Sequence, residues 1–174
     1  TPDVRETILK LAKSIAGENQ AQSLPAILGV INPSAESGWK IRRDRTSYFH
    51  SHLVLNSLFY LSHANILSLN HSTEGLLVCF EKKDGQPRGP LAKLFALFYP
   101  DAQAALAAVK SFFQSYLPEK AELIDISSAR EKTGSTRVED GWLGWRLSNN
   151  YLALVFECPD QESVAELLSQ IKFP

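Results

Sequence analysis

Glu74-Gly75-Leu76-Leu77-Val78-Cys79-Phe80 and Asp140-Gly141-Trp142-Leu143-Gly144-Trp145-Arg146 open alike, with an acid, a glycine, an apolar residue and a leucine. Each reads as a strand entered through a glycine. A second pair follows: Phe95-Ala96-Leu97-Phe98-Tyr99-Pro100-Asp101 and Leu154-Val155-Phe156-Glu157-Cys158-Pro159-Asp160 are β-rich runs that end in Pro-Asp. The proline bars continuation of a ladder, and a short carboxylate suits a helix N-cap because it accepts hydrogen bonds from the first free amides. Beyond the caps, Ala105, Leu106, Val109 and Phe112 repeat as Val164, Ala165, Leu168 and Ile171, an apolar stripe at helical spacing.

These correspondences predict two copies of one strand-strand-helix unit, over 74–118 and 140–173. The first copy carries a long hairpin loop, Lys82 to Pro90. The second has a tight turn at Ser148-Asn149-Asn150. The expected fold class is α+β: an antiparallel sheet of two pseudo-repeated β-β-α units with both helices on one face, plus an N-terminal helix and one or two extra strands. The chain reads as a single domain, 1–174. Residues 1–38 form an N-terminal helix capped by Asp3 and a wrapping loop with a short helical turn near Pro25 to Val30. Residues 39–73 form a strand, a turn or short helix, and a second strand through Leu67 and Leu69. Residues 119–139 connect the copies as a surface loop, with Leu123 to Ile126 as a short edge strand.

A chain of 174 residues, 44% hydrophobic and 10% aromatic, is long enough to bury a core. Its 18 Lys and Arg against 19 Asp and Glu leave a formal charge of -1, which argues against chain-wide attraction to nucleic acid. The densest basic run, Lys40-Ile41-Arg42-Arg43-Asp44-Arg45, fits a solvated strand end better than a phosphate patch. No segment reaches the roughly 18 to 20 apolar residues of a transmembrane helix. The chain starts at Thr1 and contains no Met, so the expectation is a translated product that loses an initiator, a signal peptide or a tag.

Tyr99-Pro100-Asp101, an alanine-rich helix ending Phe112-Phe113-x-x-Tyr116-Leu117-Pro118, then Glu139-Asp140-Gly141-Trp142 and Leu154-Val155-Phe156 resemble a family of uncharacterised bacterial proteins, often exported, over residues 74–173. The resemblance implies bacterial origin and an exported or periplasmic location, with the cytoplasm as the alternative. It assigns no residue roles.

All four histidines, His50, His52, His63 and His71, fall within 22 residues. On a strand from Tyr48 to Leu55, His50 and His52 would share a face and could bind zinc with His63 or Glu74 as a further ligand. Hydrogen-bonded or surface histidines are the more ordinary account, because no helical His-Glu-x-x-His accompanies them. Trp142 and Arg146 would share the opposite face of their strand from Leu143, Trp145 and Leu147, and an exposed pair could stack on a ligand; packing under a loop is the ordinary alternative. Cys79 and Cys158 read as buried thiols, with a disulfide as the lesser alternative. Nucleophile elbows and phosphate loops are missing from the sequence. The functional expectation is a non-catalytic exported binding or interaction module with no cofactor, taking a protein or small-molecule partner. The alternative is a small metal-dependent enzyme built on the histidine cluster.

Overall fold

The computed structural model describes residues 25–83, 91–121 and 131–174. The expected N-terminal helix, the strand at Leu123 to Ile126 and most of the loop from Lys82 to Pro90 lie outside them. A six-stranded antiparallel sheet organises the described residues: β1 (Trp39–Phe49), β2 (Glu74–Lys82), β3 (Leu91–Phe98), β4 (Glu131–Val138), β5 (Gly141–Ser148) and β6 (Tyr151–Cys158), in the spatial order β1-β2-β3-β6-β5-β4. Three helices accompany it, α1 (His52–Leu58), α2 (Ala102–Tyr116) and α3 (Gln161–Ser169), together with a 3-10 turn at Ala26–Gly29 where the short helical turn was expected.

The predicted caps form. Asp101 accepts a hydrogen bond from the Ala104 amide at 2.8 Å, and Asp160 accepts one from the Ser163 amide at 2.7 Å. Their backbones nearly coincide, with φ and ψ of -154° and 171° at Asp101 and of -151° and 169° at Asp160. The tight turn is present too: Ser148 pairs with Tyr151, and Asn149 takes a positive φ of 51°. Asn150 then docks this hairpin on the end of β3, donating from Nδ2 to the Tyr99 carbonyl and accepting from the Tyr99 amide, both at 2.9 Å.

The two long helices do not share a face as expected. Helix α2 buries Phe112 and Phe113 with Leu97, Leu152, Leu154 and Phe156, whereas α3 buries Val164, Leu167 and Leu168 with Leu94, Ala153 and Val155. These residues alternate along β3 and β6, so the two clusters lie on opposite sides of the sheet. The cause is a bulge near the end of β6. Pairing slips between Trp142↔Cys158 and Gly144↔Val155, three steps on β6 against two on β5, and Glu157 adopts φ of 57°. Phe156 therefore joins the α2 side while Cys158 joins the α3 side, although residues two apart normally share a face. At the end of β3, which has no such bulge, Leu97 and Tyr99 both stay on the α2 side. The single added residue sends the second helix to the other face.

Two other expectations are corrected. Residues 131–138, read as loop, form edge strand β4, paired with β5 from Glu131↔Ser148 to Val138↔Gly141. Gly134, which suggested a loop, gives room for an aromatic ring: a Cβ there would lie 2.2 Å from Cζ2 of Trp145. Leu67 and Leu69 belong to no strand. Both are buried, but Ser68 between them has φ of 52°, and Asn65 bonds both the carbonyl and the amide of Leu69 at 2.8 Å, closing a loop in place of a ladder.

The bulge depends on Gly141, whose φ is +123° and where an added Cβ would stand 2.5 Å from the Cys158 carbonyl oxygen. Gly141→Ala is expected to destabilise the protein by about 1 to 3 kcal/mol, the usual cost of a strained backbone position. Gly29→Ala, where nothing lies within 4 Å, should stay within about 0.5 kcal/mol of the parent in urea denaturation.

Candidate binding groove

The α3 side of the sheet is covered by α3 over β5 and β6, and by the 3-10 turn over β2 and β3. Ile27 and Val30 anchor the turn in the core, and this rotates Leu28 outward to 40% exposure. Between Leu28 and the sheet lies a groove of about 370 Å³, lined by Leu28, Ile31, Ile41, Arg43, Thr46, Leu76 and Val78. Its size is at the lower end of pockets that hold small ligands, roughly 300 to 1,000 Å³.

The outer wall is pinned to the C-terminal tail. Ile31 bridges Ile171, the Asn32 amide donates to the Gln170 carbonyl at 2.8 Å, and the Lys172 amide donates to the Val30 carbonyl at 2.8 Å. A second clamp is polar and partly buried: Glu166 accepts from the Ser37 hydroxyl and the Gly38 amide, both at 2.7 Å, while Gln170 donates to the Ser37 hydroxyl at 2.8 Å. Such a network costs several partners their satisfaction if one member is removed, so it holds the wall in one position.

The floor is shaped by a large bulge in β1. Arg42 pairs with Cys79 and Ser47 with Leu77, so Arg43 to Thr46 stand opposite Val78 alone. Arg42 fixes this loop-out: its guanidinium donates to both oxygens of Asp44, at 3.0 and 2.9 Å, and to Glu81 at 2.9 Å. Lys40 adds a 2.8 Å ion pair to Glu81. The Asp44 carboxyl is held below its ordinary range by the hydrogen bonds from Arg42, and that of Glu81 by those from Lys40 and then Arg42. The nearby acids are thus engaged, and Arg43, at the groove, has no hydrogen bond or ion pair among the described residues. At the far end, Glu74 lies two residues before Leu76; it helps burial push the Tyr48 and Tyr151 phenols above their ordinary range.

The residues singled out from sequence meet different fates. Strand β1 stops at Phe49 because Ser51 caps α1, accepting from the Leu53 amide at 3.2 Å, so His50 and His52 do not line one strand face. His50 donates through Nδ1 to the Thr73 carbonyl at 2.6 Å, and His63 packs edge-on against Tyr60. Among the described residues, which include all four histidines and Glu74, no three His, Cys, Asp or Glu side chains form a ligand set. Trp142 and Arg146 do share a face, the α3 side, but Trp142 packs against the core and Arg146 holds the tail, donating to the Ile171 carbonyl at 3.1 Å with its guanidinium 5.5 Å from the Phe173 ring centroid. In the sequence Arg43 stands within a basic run. The signal that could have found it is its phase: it shares parity with Trp39 and Ile41, the apolar side of β1.

On the other side of the sheet, α1 exposes Leu53, Val54 and Leu58, followed by Tyr60. Nearby, Lys93 pairs with Glu157 and lies 4.8 Å from the Phe59 ring centroid. The chain matches no protein-family model, no curated protein and no solved structure in the comparisons with known proteins.

Both cysteines are free and buried, on opposite faces of the sheet. Burial pushes the Cys79 thiol up and the Cys158 thiol up to about 12. Because the thiolate is the reactive form, neither should react quickly with Ellman's reagent at pH 8 in the native protein. Unfolding in guanidinium should release both thiols at once.

Proposed function

We propose that this chain is a non-catalytic, exported binding module whose recognition element is the groove between the 3-10 turn and strands β1 and β2. The observation that carries the reading is the joining of apolar walls to one guanidinium that has no partner among the described residues, in a cleft whose two sides are fixed by separate hydrogen-bond networks. A pre-formed cleft of this kind binds without first ordering its own walls. The groups around it are acceptors already engaged and aliphatic side chains, a set suited to holding a molecule rather than transforming it. Export rests on the family resemblance of residues 74–173. The alternative, a metal-dependent enzyme on the histidine segment, has weaker support, because among the described residues no three His, Cys, Asp or Glu side chains come together as a ligand set.

We infer in addition that the two strand-strand-helix segments are diverged copies of one unit. The near-identical backbones of Asp101 and Asp160 support this. In the proposed correspondence Leu76 and Val78, which line the groove, match Trp142 and Gly144. Those two positions are covered in the second copy, where a Cβ on Gly144 would meet Val164 at 2.1 Å.

A neutral apolar dye, N-phenyl-1-naphthylamine, tests the binding reading. Saturable fluorescence enhancement is expected, and Leu28→Asp, which sets a charge in the wall at an already exposed position, should weaken it about tenfold or more, equivalent to about 1.4 kcal/mol. The circular dichroism spectrum should be unchanged. Equal dye affinity in the variant would refute the groove as the site.

A further inference from the structure

We infer that the groove selects a small monocarboxylate with an apolar tail, its carboxylate on Arg43 and its tail along Ile41, Val78 and Leu76. This deepens the binding-module reading and rests on it. A guanidinium stays protonated at every physiological pH and presents a planar fork that matches a carboxylate. Arg43 is the cation among the groove-lining residues, and the acids that could quench it internally, Asp44 and Glu81, are taken by Arg42 and Lys40. An anion arriving at the groove therefore meets an exposed guanidinium, bordered by aliphatic side chains, that has no acid partner among the described residues.

Polarity along the groove fixes the orientation. Arg43 stands opposite Val78, while Glu74 lies four residues away along β2, about 13 Å at the usual rise of a strand. The carboxylate is attracted by Arg43 in the lining, and the acid Glu74, outside the lining, disfavours the reverse orientation. Leu76 lies between them on β2, and with Ile31, Ile41 and Val78 it gives the groove an aliphatic surface.

A peptide is a poorer fit. The strand that borders the groove, β1, is an edge, but it is bulged from Arg43 to Thr46 and carries Lys40, Arg42, Asp44 and Arg45, features that oppose the addition of another strand. The Thr46 hydroxyl is turned to the Arg42 carbonyl, at 3.3 Å, and leaves its lone pairs free to accept.

The test is displacement of N-phenyl-1-naphthylamine from the full chain at pH 7 by octanoate, octanol and octylamine. Octanoate is expected to compete at least about tenfold better than octanol, with octylamine weakest. Arg43→Ala should remove the advantage of octanoate over octanol, both measured against the dye affinity of that variant, and Arg43→Lys should retain part of it, as a point charge without the fork. If octanol matches octanoate, or Arg43→Ala leaves the octanoate advantage in place, the ligand class is wrong while the groove reading stands on the dye. If the dye itself does not bind, both fall together. Tighter competition by a short apolar peptide than by octanoate would also overturn the small-molecule assignment.

Discussion

The backbone of Glu157 determines the layout of this protein. A non-glycine residue at φ of 57° is uncommon, and here it inserts one residue into β6 just before the helix that follows. Without it, Cys158 would lie on the side of Phe156, and α3 would start on the face that α2 already occupies. With it, each face receives one long helix, and the sheet has a closed core on both sides. The strain is held by its surroundings: Glu157 pairs with Lys93 across the centre of the sheet, and Gly141 leaves the room that the displaced Cys158 carbonyl needs.

The groove follows from the same displacement. With α2 on one face and α3 on the other, no long helix among the described residues covers the α3 side of β1 and β2. The 3-10 turn covers β2 there, but a short turn spans less surface than a helix of three or four turns. Ile27 and Val30 reach the core and Leu28 does not. The strip that the described residues leave open is the groove, and the β1 bulge sets Arg43 in its lining.

Much of the fold was legible in the sequence because its signals are local. Pro100-Asp101 and Pro159-Asp160 specify helix starts by capping chemistry, and Asn149-Asn150 specifies a turn by its tolerance of positive φ. What escaped was set by long-range contacts. Glu157 carries no residue signature for its conformation, so the switch of faces was invisible. Strand β4 is almost wholly polar because it is an edge, and its glycine exists to admit the ring of Trp145 from the neighbouring strand. The histidine segment misled for the opposite reason: Tyr48 to Leu55 has good strand composition, but Ser51 supplies a cap that ends the strand after Phe49. At the candidate site, Leu76 and Val78 read correctly as buried strand residues, yet their exposure to a cleft depends on which helix lies above them.

The basic run from Lys40 to Arg45 shows how one stretch serves two roles. Spread on a regular edge strand, its cations would be solvated and interchangeable. The bulge separates them: Arg42 turns toward Asp44 and Glu81 on one face, at 2.9 to 3.0 Å, while Arg43 falls on the other among aliphatic side chains. The acid that would have neutralised Arg43 as its sequence neighbour is withdrawn by Arg42. Arg42 thus acts as a positioning residue for Arg43, since it both fixes the shape of the bulge and removes the internal counter-charge. The same arrangement keeps the exposed edge of the sheet from pairing with another chain, so protection of the edge and definition of the cleft come from one set of hydrogen bonds.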